Sequence, residues 1–180
     1  ILHERFRWAE LEQLVYSSDK WERRLVGATI ARMPFERPKH RRTELATSPG
    51  LTIIKSLLGD SESDVQKALS WALRSWNEVD QQGVTAVLRN ESEVAARTDD
   101  GNRAWVLRDA LTWPGTDPRL ASEIRTVLEG VRRRPGGTST SAAAAVAGAA
   151  ARGARHVRRP VDDLMSAIED VRLGSGPIVR

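Results

Sequence analysis

Trp71 is the residue of this chain whose type and surroundings point most directly to chemistry. In a helix predicted over residues 64–76, Trp71 falls roughly 120° from the centre of the apolar stripe, and Lys67 and Arg74 lie nearly opposite that stripe. A large aromatic ring beside two cations offers a platform for an anionic partner with stackable rings, which favours nucleic acid. The alternative is that a neighbouring helix covers Trp71, and the geometry of a single helix leaves both interpretations open.

The same helix has a clear apolar side. Val65, Leu69, Ala72 and Trp76 recur at helical spacing and form one stripe at about 100° per residue. We expect this stripe to face the core of the protein. The polar and aromatic residues of the opposite side are then free to meet a partner.

Composition limits the class of protein. The chain has 180 residues and a net charge of +4, from 28 Lys and Arg against 24 Asp and Glu, which mildly favours a polyanionic partner. It has no cysteine, no apolar run of the roughly 20 residues that a membrane span needs, and neither a phosphate-binding glycine loop nor a GxSxG motif. Its histidines, His3, His40 and His156, lie far apart, so we expect no metal site and no cofactor.

The chain reads as short amphipathic helices separated by capped turns, with negligible strand signals. We predict an all-α fold, either an α-solenoid with a period of roughly 40 residues or an irregular bundle. The predicted helices cover residues 4–16, 51–58, 80–88, 102–111 and 119–133, in addition to one that follows the cap at Asp19 and the Trp71 helix. Residues 1–134 form the repeat domain, 135–160 a low-complexity Ala/Gly/Arg linker that is disordered or partly helical, 161–173 a candidate short helix, and 174–180 a disordered tail.

The helix that follows Asp19 carries Trp21, Leu25 and Ala28 at helical spacing. We interpret this stripe as its core side, with Trp21 as a core residue rather than a ligand contact. Arg23 is then interpreted as a solvated residue on the opposite side.

Other conspicuous residues receive structural interpretations. Ser70 has no histidine near it in sequence and is interpreted as a surface serine, while Trp105 and Trp113 are expected to pack the last repeats together. The basic runs at residues 37–42 and 132–134 could contact phosphate, but such runs are more often merely solvated.

Two motifs together resemble the AlkC/AlkD-type DNA alkylation repair family. One runs from Ser18 to Leu25 (SDKWERRL) and matches the family's W-x-x-R signature, and the other runs from Asp64 to Arg74 (DVQKALSWALR) and matches its Q-K-A-x-x-W-x-L-R-E signature. The resemblance covers roughly residues 5–112, and the second motif is the more specific. Ser75 and Trp76 replace the usual Glu-aromatic pair, and Ser70 stands where the family usually has glycine.

The resemblance implies a fold, an activity and a set of site residues. Family members are HEAT-like helical repeats in a short curved α-solenoid whose basic concave face grips duplex DNA, and they hydrolyse the N-glycosidic bond of cationic N3- and N7-alkylpurines. Trp71 resembles the cleft tryptophan, assigned here as the catalytic residue, which packs against the sugar and backbone of the lesion nucleotide. Arg24 resembles the cleft arginine that contacts the DNA backbone, with Lys67 and Arg74 as supporting DNA contacts.

The family also has a catalytic aspartate in an upstream W-x-x-x-D-type helix, and no such motif precedes Trp21. Because the chain begins without Met and inside a predicted helix, we expect that preceding repeats carry this aspartate. The resemblance then implies a cofactor-free DNA glycosylase that acts as a monomer on duplex DNA carrying alkylated bases, without a membrane, in the cytoplasm and associated with the nucleoid. The alternative is a non-catalytic helical-repeat module that binds DNA or protein.

Overall fold

The computed structural model of the chain describes residues 5–156 and is helical throughout its regular parts. The described α-helices are α1 (Arg5–Gln13), α2 (Lys20–Arg32), α3 (Ser48–Leu57), α4 (Ser63–Asn77), α5 (Gln81–Thr98), α6 (Gly101–Ala110), α7 (Pro118–Val127) and α8 (Ala142–His156). Short 3-10 helices cover Leu14–Tyr16, Met33–Glu36 and Lys39–Glu44. The predicted helix and tail at residues 161–180 lie outside the described residues.

The first seven helices alternate between two layers. Helices α1, α3, α5 and α7 pack on one another in chain order, and α2, α4 and α6 do the same in the second layer. Helices α2, α4 and α6 begin at residues 20, 63 and 101, so successive units repeat at roughly 40 residues. This arrangement confirms the prediction of an all-α fold built from HEAT-like helical repeats in a solenoid.

The chain divides into two compact units, residues 1–145 and 146–180. The first contains α1–α7 and the hydrophobic core, and α8 begins in it and continues into the second. None of the helices in the described part of the chain is long and apolar enough to cross a membrane.

Aspartate side chains define where four of the helices begin. Asp19, Asp80, Asp100 and Asp117 are N-cap residues whose carboxylates accept hydrogen bonds from backbone N–H groups in the first helical turn. Such caps satisfy donors that have no partner within the helix. The predicted start of α2 after Asp19 is therefore confirmed.

Helix α4 has the predicted core side. Val65, Leu69, Ala72 and Trp76 are all fully buried. The Trp76 indole Nε1 donates a hydrogen bond to the Ile30 carbonyl oxygen at 2.6 Å, which ties α4 to α2.

Helix α2 faces the opposite way from the prediction. Trp21 and Leu25 are 55% and 52% exposed, whereas Arg23 and Val26 are buried together with the rest of one face. The interpretation of Trp21 as a core residue and of Arg23 as a solvated residue is therefore wrong.

Partners from outside the helix explain why Arg23 is buried. Its Nε donates to Asp60 Oδ2 at 2.6 Å, and its Nη1 donates to the carbonyl oxygens of Ser17 and Ser18 at 2.9 and 3.0 Å. Asp60 is itself fully buried, and its Oδ1 accepts the backbone N–H of Glu62 at 2.9 Å. A buried charge is tolerated when it is paired and hydrogen-bonded in this way.

Helices α2 and α4 approach each other closely at Gly27. A Cβ atom at this position would lie 3.0 Å from the Ala68 Cβ and 3.0 Å from the Ala68 carbonyl carbon. Only glycine fits without displacing α4. The close contact brings the outer surfaces of α2 and α4 side by side.

The segment that follows α7 is hydrogen-bonded to the turn between α3 and α4. The Thr140 backbone N–H donates to the Gly59 carbonyl oxygen at 2.9 Å, and Ser139 Oγ donates to the same oxygen at 3.1 Å. We call residues 132–141 the strap. The disorder expected from the composition of residues 135–160 stays a prediction.

Candidate functional site

Trp71 lies on the outer surface of the layer formed by α2, α4 and α6. Its side chain is 38% exposed, a large value for a tryptophan in the middle of a helix. Lys67, one turn earlier, is exposed, and Arg74, about one turn later, is half-buried. The side of α4 opposite Trp76 therefore presents an aromatic ring with a cation before it and a cation after it.

Arg24 lies on the same surface. The contacts from Lys20 to Glu62 (Nζ to Oε2, 3.7 Å) and from Gly27 to Ala68 show that α2 and α4 run in the same direction, about 42 residues out of register. This register places Arg24 opposite residues 65–66, within two residues of the height of Lys67. Arg24 is exposed, so the structure brings it and Lys67 to one surface on neighbouring helices.

Trp21 adds a second aromatic ring to this surface. Lys20 Nζ lies 5.1 Å from the centroid of the Trp21 ring and Arg24 Cζ lies 5.9 Å from it, both within cation–π range. The exposed stripe of α2 that was predicted to be core is thus an apolar and cationic part of the outer surface.

Arg74 is held by the next helix of the layer. Its Nη2 lies 3.7 Å from Asp109 Oδ2 of α6, and its Nη1 lies 3.4 Å from Thr112 Oγ1 in the turn that follows α6. The geometry is loose and the contacts are partly exposed, so they contribute little to stability. Arg74 can therefore exchange them for a phosphate at small cost.

Asp109, like Trp21, belongs to this surface although its sequence position did not predict it. Ser70 Oγ donates a hydrogen bond to Asp109 Oδ2, and Ser70 is fully buried between the helices. The interpretation of Ser70 as a surface serine is wrong, because α6 covers it. The only sequence signal for Asp109 is its helical spacing of four residues from Trp105, which places the two on the same side of α6.

The remaining tryptophans differ in exposure. Trp105 is half-buried, and the Arg133 Cζ of the strap lies 5.9 Å from the centroid of its ring. Trp113 is 39% exposed, so its predicted role in packing the last repeats is wrong. In the basic run at residues 37–42, Arg42 lies 3.5 Å from Glu78 (Nη1 to Oε2) and 4.9 Å from the Phe35 ring.

The side chains of this surface can make several kinds of contact with a ligand. Within the described residues, no group of three or more His, Asp or Glu side chains could hold a metal ion. The surface instead combines aromatic faces, guanidinium and ammonium groups, and one hydrogen-bonded carboxylate. These groups can bind phosphates, stack on bases or sugars, and stabilise positive charge.

The fold and this surface define a helical-repeat protein with a cationic, aromatic outer layer. Residues 1–113 match the family described as DNA alkylation repair enzyme, so the chain belongs to the DNA alkylation repair family. Membership supports a role in DNA alkylation repair and DNA as a partner. Comparisons with curated proteins and with solved structures give no match.

Proposed function

We propose that this protein is a DNA glycosylase that removes cationic N3- and N7-alkylpurines from duplex DNA, acting as a monomer. The observation that supports the proposal most is the exposed Trp71 between Lys67 and Arg74, on the same surface as Arg24. Cations on two neighbouring helices can hold the phosphates on either side of a nucleotide, while the indole ring packs against its sugar.

The chemistry suits a site without a metal. An alkylated purine already carries a positive charge, so the electron pair of the C1′–N bond passes to the base, which leaves neutral. The sugar becomes oxocarbenium-like, water then adds to C1′, and the proton of that water passes to a nearby base or to solvent. The protein has to stabilise a cation at the sugar and hold the nucleotide in place.

Asp109 is the carboxylate that we propose for this electrostatic task within the described residues. It lies beside Ser70, the residue before Trp71, and beside Arg74, one turn later. When Arg74 turns to a phosphate, Asp109 keeps the Ser70 hydroxyl as a donor and gains freedom to face the developing positive charge.

Replacing Asp109 with asparagine is expected to lower base release by about 10²-fold, the effect typical of losing one preorganised electrostatic group. Affinity for duplex DNA should not fall, because the change removes a negative charge near phosphates. The measurement is single-turnover release of 7-methylguanine, with duplex affinity determined in parallel. Ser70→Ala is the control, since it removes a hydrogen bond but keeps the carboxylate. Unchanged release, or release and affinity falling together, would exclude Asp109 from the chemistry.

The neighbours Arg23 and Arg24 give a matched test of the DNA-binding surface. Arg24→Ala should weaken duplex binding and flatten the dependence of log Kd on log salt by about 0.9, the loss of one phosphate contact, without changing the thermal midpoint. Arg23→Ala should destabilise the fold by about 3–5 kcal/mol, because it leaves Asp60 buried and unpaired.

The measurements for this pair are fluorescence anisotropy of a labelled duplex at several salt concentrations and urea unfolding of both variants. If Arg24→Ala binds the duplex with the same salt dependence as the unmodified protein, Arg24 does not contact a phosphate. A stability loss in Arg24→Ala as large as in Arg23→Ala would show that Arg24 is structural.

A further inference from the structure

The strap places a cation on the DNA-binding surface from outside the part of the chain that matches the family. The family match ends at residue 113, and the strap covers residues 132–141. Arg133 is exposed, and its Cζ lies 5.9 Å from the centroid of the Trp105 ring of α6. Helix α6 therefore also has a tryptophan with a cation beside its ring, and this cation, Arg133, comes from the strap.

Several contacts hold the strap in this position. At its start, Arg134 Nη2 donates to Asp99 Oδ2 at the end of α5. Further along, the Asn102 side chain donates to the Thr138 carbonyl oxygen at 3.5 Å, and Thr140 Oγ1 donates to Asp100 Oδ2. The strap is thus fixed from Arg134 to Thr140 to the turns before α4 and α6, and Arg133 directly precedes the first of these attachments.

The register of the helices places Trp105 on the same surface as Lys67 and Trp71. Gln66 Nε2 donates to Asn102 Oδ1 at 3.2 Å, and Ser70 donates to Asp109, so α6 runs beside α4 with an offset of about 37 residues. Trp105 consequently lies at the height of Lys67, and Arg24 lies within two residues of that height. Arg24, Lys67 and Arg133 form a row across three helical repeats.

Arg133 also has room and charge for a ligand. It lines a cleft of about 490 Å³ together with Ser61, Glu62, Asn102 and the following residues of the strap. Within the described residues Arg133 has no carboxylate partner, whereas Glu62 in the same cleft is paired with Lys20 at 3.7 Å. The guanidinium of Arg133 is therefore available to an anion that approaches along the outer surface.

We propose that Arg133 binds a phosphate of the DNA backbone and that the strap is part of the DNA site. The inference rests on the proposed function, because it extends the same surface by one repeat. The row Arg24, Lys67 and Arg133 would follow the backbone of one strand, and Trp105 holds the Arg133 guanidinium by its ring face.

The test is the salt dependence of binding to a labelled, unmodified duplex for Arg133→Ala, Arg133→Lys and Arg125→Ala. Arg125 is an exposed arginine of α7, in the other layer, and serves as the control for loss of one positive charge. Arg133→Ala should flatten the dependence of log Kd on log salt by about 0.9, whereas Arg133→Lys and Arg125→Ala should retain it. Circular dichroism melts of the same variants check that the strap change leaves the fold intact.

Each alternative result decides against the inference in a distinguishable way. A salt dependence unchanged in Arg133→Ala but flattened in Arg24→Ala would overturn the role of the strap and leave the proposed function standing. The same flattening in Arg125→Ala would show that only total charge matters, which also overturns it. No salt-sensitive binding by the unmodified protein would overturn both the inference and the proposed function.

Discussion

Replacing Trp71 with alanine is expected to lower base release by about 10- to 100-fold while the protein stays folded. An aromatic face toward a desolvated cation contributes about 2 kcal/mol, and about 1.4 kcal/mol is a factor of ten in rate. The ring is 38% exposed and lies outside the core, so its loss should change the free energy of unfolding by about 1 kcal/mol.

The measurement is single-turnover release of 7-methylguanine and 3-methyladenine, combined with urea unfolding of the same preparation. Trp71→Phe is the matched variant, since it keeps an aromatic face and should retain most of the release. A loss of several kcal/mol of stability in Trp71→Ala would instead place the ring in the core.

Trp76→Ala, five residues further along the same helix, is expected to have the opposite effect and to destabilise the fold by about 3–5 kcal/mol. Trp76 is fully buried, and its Nε1 donates to the Ile30 carbonyl oxygen at 2.6 Å. A Cβ atom at Gly50 would lie 2.2 Å from the Trp76 Cη2 atom, so the ring fills the space between α3 and α4 completely. Removal leaves a cavity that these helices cannot close without moving.

Urea unfolding followed by circular dichroism measures this loss directly. Trp76→Phe should cost clearly less, because it keeps most of the buried ring and loses mainly the hydrogen bond. A Trp76→Ala protein as stable as Trp71→Ala would contradict the assignment of the two tryptophans to opposite sides of α4.

The core side of α4 could be predicted from sequence because Val65, Leu69, Ala72 and Trp76 recur at spacings of three and four residues, as one side of a helix requires. The same kind of pattern was misleading in α2, where Trp21 and Leu25 are exposed although they recur at helical spacing, and Arg23 is buried. The burial of Arg23 depends on Asp60, which is 37 residues away in sequence. No pattern within α2 carries that information.

The length of α5 was underestimated for a similar reason. We predicted an end at residue 88, whereas the helix continues to Thr98. Its second half is rich in polar residues, and the buried Glu91 there accepts a hydrogen bond from Arg103 of α6. Partners in the next helix hold a segment that has no continuous apolar stripe.

The site could be predicted only where one helix defines it. Helical geometry places Trp71 off the apolar stripe and beside Lys67 and Arg74, but only the packing of the helices shows that no neighbouring helix covers its ring. The placement of Arg24, Asp109 and Arg133 on the same surface depends on how α2, α4, α6 and the strap pack. Such contacts between distant parts of the chain require the three-dimensional structure.

The most direct test of the proposed glycosylase is whether the chain releases 7-methylguanine and 3-methyladenine from methylated duplex DNA without added metal or cofactor. We expect release that falls in Trp71→Ala and in Asp109→Asn but not in the control Arg125→Ala. Salt-sensitive duplex binding without any release would contradict the glycosylase and leave a DNA-binding module. If the protein shows no base release and no duplex binding, both the glycosylase and the DNA-binding surface are contradicted.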